Sequence, residues 1–256
     1  MSLAYKSQKK RRKDLAKYRI TSWEDYEAAV KELEKERLHR LRLQQETPKT
    51  VRVIGGKIKG TVLDVPARTR PFTSRMRTTL FDVLRDVIED KKVLDLYSGS
   101  GSLGLEALSR GAKSVDFVDA AKQAESMLNE NIKKTPFLVE TEVIRSRAED
   151  YLPPAINSGE QFEIIFSSPP FKLFNKRDRK KMEKLINQTA KLLPGVADPE
   201  TDLYKGLLIL QYPTDYPIDK LNLPDLELYD ELVFGRNTIG LFIVKHAAKK
   251  ASEKAD

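Results

Sequence analysis

The stretch Val93-Leu-Asp-Leu-Tyr-Ser-Gly-Ser-Gly-Ser-Leu-Gly104 decides the fold. A short apolar run is followed at once by Gly99, Gly101 and Gly104, a GxGxxG placed after an expected strand and at the start of an expected helix. Glycines let the backbone turn sharply there and approach a ligand closely, with helix N–H groups facing it. From Lys92 onward, strands alternate with helical stretches, the pattern of a parallel α/β sheet. Strands are expected at 93–97, 115–119, 141–146, 162–167 and 206–212, and helices near 103–110, 121–134 and 178–192. The end differs. Leu226 to Phe234 and Thr238 to Lys245 read as strands joined only by Gly235-Arg236-Asn237. A turn that short forces an antiparallel hairpin, because parallel neighbours need a crossover of about a dozen residues.

Taken alone, the glycine loop does not separate a nicotinamide cofactor from S-adenosylmethionine. Asp95 favours the second: a carboxylate beside the loop repels a pyrophosphate but can hold the ammonium of a methionine moiety. Asp119 ends the next strand, twenty residues after Gly99. A carboxylate there can accept both ribose hydroxyls of an adenosine. Asp116, within the strand, is the weaker candidate. A third element, Phe166-Ser-Ser-Pro-Pro-Phe171, ends the fourth strand, and the carboxyl ends of parallel strands line the ligand crevice. Two consecutive prolines stiffen this loop and leave carbonyls without local N–H partners. Those carbonyls and a neighbouring polar side chain can accept from an exocyclic amine, with Phe171 stacking on the base that carries it.

Outward toward the N-terminus, Arg68 to Arg77 is a basic connection running into a helix from about Ser74 to Glu89. Before it, Val51 to Ile54, a Gly55-Gly56 break and Thr61 to Val65 read as a short β-hairpin. Thr21-Ser-Trp-Glu24 is a capping box for one long amphipathic helix that closes at Thr47-Pro48. Glu27–Lys31 and Glu36–Arg40 support that helix as i,i+4 pairs. Residues 1–20 form a basic arm, in which Lys6, Lys9, Lys10, Arg11, Arg12, Lys13, Lys17 and Arg19 face only Asp14. Most of the net charge of +8 sits there, suited to phosphate backbones if it is not a solvated tail or an import signal. The expected organisation is a disordered arm 1–20, a helix 21–47, a hairpin and basic connection 48–90, a sheet domain 91–248 and a tail 249–256.

Composition narrows the chemistry. A hydrophobic content of 40% supports a packed core, and no apolar run approaches the ~18–20 residues needed to span a bilayer. Cysteine is absent and only His39 and His246 are present, so no metal site is expected. Catalysis is left to carboxylates, hydroxyls, backbone groups and a cofactor.

Several segments then occur together and in order. They are Val51-Arg-Val-Ile-Gly-Gly-Lys-Ile-Lys-Gly60, Arg70-Pro71 with Arg75-Met-Arg77 and Leu80-Phe81, the stretch Asp95 to Gly111, and Ser168-Pro-Pro-Phe171. In this set the chain resembles the RsmD family of bacterial small-subunit ribosomal RNA guanine-N2 methyltransferases, over about residues 50–246. The resemblance implies a Rossmann-like seven-stranded methyltransferase sheet, five parallel strands plus the C-terminal hairpin. It implies S-adenosylmethionine held by Asp95, Tyr97, Ser98, Gly99, Ser100, Gly101, Gly104, Asp119 and Ala148. It also implies that Ser168, Pro169, Pro170 and Phe171 hold the target base and carry catalysis, and that Arg70, Arg75 and Arg77 face RNA. Lys10, Arg11 and Arg12 of the arm, outside the family pattern, are expected to add RNA contacts. The expected partner is ribosomal RNA or a small-subunit assembly intermediate, met in the cytoplasm by a monomer.

Two positions depart from the family pattern. Its tetrapeptide normally starts with Asp or Asn, and here it starts with Ser168; Arg147 stands where an acidic residue usually lies near the adenine. A hydroxyl is a shorter and less polarising acceptor than a carboxylate, a difference that costs roughly 10²–10³-fold in rate if a few kcal/mol of transition-state stabilisation depend on it. A second reading therefore stands beside the enzyme: an impaired homologue acting as an RNA-binding assembly factor. Methylation of an adenine or protein amine is a third, and a nicotinamide-dependent oxidoreductase a fourth.

Overall fold

The computed structural model describes residues 50–66, 72–195 and 206–245, together with positions 25, 28, 31, 32 and 34–36. The chain divides into two compact units, 1–48 and 49–256. In the first, every described position is helical; the rest of the helix expected over 21–47 lies outside the described residues. Its Lys35–Glu32 ion pair, 3.9 Å and exposed, adds little. Lys10, Arg11, Arg12, Arg70 and the tail 249–256 lie outside the described residues.

The second unit begins with β1 (Thr50–Arg52) and β2 (Val62–Asp64), an antiparallel hairpin, then α1 (Ser74–Val83). Thr73 caps α1, its side chain accepting from the Met76 N–H at 3.2 Å. The helix stops at Val83 instead of running to Glu89, and the turns that follow bury Leu84 and Ile88. There follow β3 (Lys92–Leu96), α2 (Ser102–Ser109), β4 (Ser114–Asp119), α3 (Lys122–Lys133) and β5 (Thr141–Arg145). Then come α4 (Ala148–Asn157), β6 (Ile164–Ser167), α5 (Arg179–Ala190), β7 (Leu207–Pro213), β8 (Leu226–Phe234) and β9 (Asn237–Val244). Helix α4 was not expected, because Pro153-Pro154 lies inside it. Buried Leu152 and Ala155 hold the turn although two backbone donors are missing.

One sheet of seven strands carries the order β5-β4-β3-β6-β7-β9-β8. The strands run parallel except β9, which inserts antiparallel between β7 and β8. The order reverses at β3, between β4 and β6, and that switch point is where open α/β sheets bind ligands. One apolar core includes Leu80 and Phe81 of α1, Leu105 of α2 and Leu63 of the hairpin; the other includes Leu152 of α4 and Leu185 of α5. The hairpin and the sheet, distinct in the sequence reading, thus share a core.

Helix α2 has no wet face: all eight of its residues are buried. The hairpin covers the side that would otherwise meet water, and polar groups stitch the two together. Glu106 is the centre of this contact. One carboxylate oxygen accepts from the Ile54 N–H at 2.7 Å, and the other from Arg110 Nε at 2.9 Å. Arg77 completes the cluster, its Nη1 lying 3.8 Å from Glu106 and donating to the Arg52 carbonyl at 2.9 Å. This corrects the sequence reading of Arg77: only 1% exposed, it clamps the hairpin to α2 and does not face RNA. Arg75, two residues earlier on α1, is exposed.

Candidate functional site

A cleft of about 400 Å³ opens at the carboxyl ends of β3, β4 and β6, within the ~300–1,000 Å³ usual for ligand sites. The glycine loop forms one wall, with Asp95, Tyr97, Ser98 and Ser100, while Asp119 comes in from the end of β4. Ser168, Pro169, Pro170 and Phe171 form the facing wall. The structure therefore brings the two sequence motifs together. A second cleft, of about 770 Å³, lies between the segment Ile218 to Leu228 and Phe242, but none of the sequence-read site residues lines it.

Local geometry explains why the loop needs its residues. Gly99 and Gly101 have φ of 55° and 73°, and a Cβ on Gly101 would stand 2.3 Å from Leu128. Gly104 serves close packing instead, since a Cβ there would meet the Phe117 ring at 2.3 Å. These glycines shape the wall and do not line it. Tyr97 turns the chain with φ of 63°, an uncommon value for a residue with a side chain.

Carboxylates hold the loop. Asp119 accepts from the Gly99 N–H at 2.9 Å with one oxygen and from the Ala121 N–H at 2.9 Å with the other. Each oxygen keeps a further lone pair for a ligand hydroxyl. Asp95 accepts from the Gly104 N–H at 3.1 Å. Burial pushes its carboxyl up to about 7; the Gly104 bond opposes that rise and nearby Asp119 adds to it. Burial likewise pushes the Tyr97 hydroxyl up. Behind the loop, buried Asn131 of α3 donates to the carbonyls of Ser100, at 3.0 Å, and Asp64, at 2.9 Å, and accepts from the Asp64 N–H at 2.8 Å. It ties the hairpin to the glycine loop.

Several polar atoms are left over. The hydroxyls of Tyr97, Ser98 and Ser168 are buried and have no partner among the described residues. Buried polar groups are costly unless hydrogen-bonded, so these atoms suit a polar ligand. A carboxyl with a raised pKa beside them suits an ammonium, and Asp119 suits vicinal hydroxyls. The wall thus fits the S-adenosylmethionine that the sequence resemblance implies.

The sequence profile of the RsmD family, described as Conserved hypothetical protein 95, matches residues 51–203, more than half of the chain. The chain belongs to the RsmD family. It is 38% identical over 124 residues to ribosomal RNA small subunit methyltransferase D of Escherichia coli strain K12, covering 48% of this chain and 61% of that protein. It is 36% identical over 124 residues to the putative rRNA methyltransferase YlbH of Bacillus subtilis strain 168, covering 48% of this chain and 67% of that one. The chain thus spans less than two thirds of the E. coli relative it matches. Among solved structures it is similar to the putative methyltransferase yhhF from E. coli, with a TM-score of 0.62 and 29% identity over 77% of this chain and 99% of that one. The seven-stranded methyltransferase sheet is therefore the fold of this RsmD-family chain.

Two positions marked by the sequence sit elsewhere. Ala148 is buried at the start of α4, packed in the core with Leu94 and Val118, and does not line the cleft. Arg147 is exposed, its side chain 3.8 Å from Glu149, and it too is absent from the cleft wall. The sequence reading also missed lining residues: Phe72, Gln211 and Asn237. A polar Gln211 directly after the buried run Leu207 to Leu210 was the available signal for one of them.

Proposed function

We propose that this chain is an S-adenosylmethionine-dependent methyltransferase acting on the exocyclic N2 amine of a guanine in small-subunit ribosomal RNA, a substrate met in the cytoplasm. The observation that carries the reading is the meeting, in one cleft, of the glycine loop and Asp119 with the Ser168–Phe171 loop, whose Ser168 hydroxyl is buried and unpartnered. Family membership and the name of the E. coli relative support the choice of RNA.

When bound, S-adenosylmethionine would supply a sulfonium methyl carbon open to in-line attack by an amine nitrogen, with S-adenosylhomocysteine leaving as the neutral thioether and the amine's surplus proton passing to water. The chain's own residues do the rest by positioning and by excluding water. Asp119 accepts the ribose hydroxyls while its bonds to Gly99 and Ala121 keep it still. Asp95 faces the ammonium. On the other wall the Ser168 hydroxyl and the Pro169 carbonyl accept amine hydrogens, which helps a lone pair delocalised into the purine to localise on nitrogen. Phe171, 38% exposed and edge-on to Phe174 at 6.2 Å, presents a ring for the base to stack on. The base must leave its helix to reach this wall. Arg75, exposed on α1, is placed to meet phosphate.

The buried Ser168 hydroxyl also bears on the scaffold alternative. It stands at the family's acceptor position with its hydroxyl unpartnered, and Arg147 is not among the residues that line the cleft. The test begins with calorimetric titration of the full chain with S-adenosylmethionine and S-adenosylhomocysteine, using Asp95→Ala as control. Transfer of labelled methyl to small ribosomal subunits follows, with mass spectrometry of the digested RNA. Micromolar binding lost in the control, with N2-methylguanosine formed, is the expected result. Binding without transfer would restore the assembly-factor reading, and no binding would remove the enzyme.

A further inference from the structure

The target amine accounts for only one group of a base edge, and the cleft holds polar side chains the mechanism does not use. Gln211, on β7, and Asn237, at the start of β9, line the same cleft as Ser168 and Phe171. Gln211 pairs with Ile239 and Asn237 with Pro213 across the antiparallel ladder, so the two are diagonal neighbours on one face of the sheet. Their amides are bonded to each other, Gln211 Nε2 donating to Asn237 Oδ1 at 3.2 Å. The turn beside them is pinned as well. Thr214 donates to the Gly235 carbonyl at 2.9 Å, and Thr238 to the Thr214 hydroxyl at 3.0 Å. These amides are held in place, and both are half-buried.

An amide carries two donor hydrogens and an acceptor with two lone pairs. Once the pair is bonded, one amide keeps a carbonyl oxygen and the other an NH₂ for a third party. Reversing both amides exchanges these roles and still leaves one acceptor and one donor. We propose that Gln211 and Asn237 read the purine edge beside the target amine, and that this pair selects guanine. Past its N2 amine, guanine offers N1–H, a donor, and then O6, an acceptor, which together satisfy both amides. Past its N6 amine, adenine offers only the N1 acceptor and then a C–H, which leaves an amide oxygen without a partner. A bidentate amide contact to a base edge discriminates by roughly 10- to 100-fold. The proposal rests on the guanine-methyltransfer reading above and names the residues that give it its specificity.

The test compares two small-subunit RNAs, assembled with ribosomal proteins, that carry either guanine or 2-aminopurine at the methylated position once mass spectrometry has mapped it. 2-Aminopurine keeps the N2 amine but has an acceptor at N1 and a C–H at position 6. The wild-type chain should prefer guanine by roughly 10- to 100-fold in kcat/KM. Gln211→Met and Asn237→Leu, close in size to the originals, should shrink that preference to a few-fold through loss of rate on guanine alone. S-adenosylhomocysteine affinity and Tm should stay within error of wild type. Equal loss on both RNAs, or an unchanged preference, would overturn the proposal and leave the pair a structural tie between β7 and β9. Should a variant fold poorly, Gln211→Glu keeps size and an acceptor while losing the donor, and an unchanged guanine preference in it would equally count against the pair. A wild-type chain that binds S-adenosylhomocysteine yet methylates neither RNA would instead strike the methyltransfer reading, and this inference with it.

Discussion

The two walls of the cleft differ in how their backbone is held. On the glycine-loop wall, backbone groups of the loop are answered from within the chain: Gly104 by Asp95, Gly99 by Asp119, and the Ser100 carbonyl by Asn131. On the Ser168 wall Pro169-Pro170 stiffen the chain and Phe171 is partly exposed; buried hydroxyls without partners stand on both walls, at Tyr97 and Ser98 on the first and at Ser168 on the second. The first wall is pre-organised and holds its shape without ligand. In the methyltransfer reading, the second offers the Ser168 hydroxyl to a base that arrives from outside. Preorganisation strengthens whichever groups meet charge, and unspent acceptors confer selectivity only when the right partner fills them.

That contrast can be broken from behind. Glu106→Ala would leave Arg77 buried beside an empty place, and removing one partner of a buried pair costs about 3–5 kcal/mol. Denaturant unfolding should register a loss of that size, and a change below about 1 kcal/mol would show that the hairpin clamp is not held by this cluster. The Ser168 wall is the next target. Ser168→Asp should raise single-turnover methyl transfer by roughly 10²–10³-fold while leaving S-adenosylhomocysteine affinity unchanged. An unchanged rate would mean that the Pro169 carbonyl alone suffices as acceptor.

On the glycine-loop wall the expected effects are smaller. Asp119→Ala removes acceptors for two hydroxyls and should weaken S-adenosylhomocysteine binding about 10- to 100-fold by calorimetry. Undiminished affinity would move the ribose site elsewhere. The pH dependence that Asp95 imposes gives the mildest signal. The Asp95 carboxyl titrates near 7 when folded against an ordinary 3.8, so the free folded protein binds the extra proton between those values. Stability of the free protein should therefore fall as pH rises through that window. Binding of a ligand ammonium favours the ionised form and should tighten as pH climbs through 7, up to about tenfold per pH unit below it. Asp95→Asn should flatten that profile, and a wild-type profile that is already flat would place the ammonium away from Asp95.

Legibility in the sequence followed locality. The glycine loop, Asp119 and the strand alternation are encoded in contiguous residues, and the seven-stranded sheet they predicted is the one found. Helix α4 was hidden because Pro153-Pro154 argues against a helix and only burial against the sheet overrules it. Arg77 was misread because charge along a chain does not reveal that Glu106, 29 residues on, waits inside the core. Gln211 and Asn237 were missed for a similar reason. Their meeting depends on the β7–β9 register, which no local pattern states.

The late insertion of β9 between β7 and β8 also sets a timetable. Residues 92–119 leave a ribosome at least 118 positions ahead of Asn237. The glycine loop and its carboxylates can thus gather while β9 is still inside the exit tunnel. The growing chain passes through a stage with a glycine loop and two carboxylates but no Gln211–Asn237 pair. On the proposal above, selectivity is the last property this protein acquires as it is made.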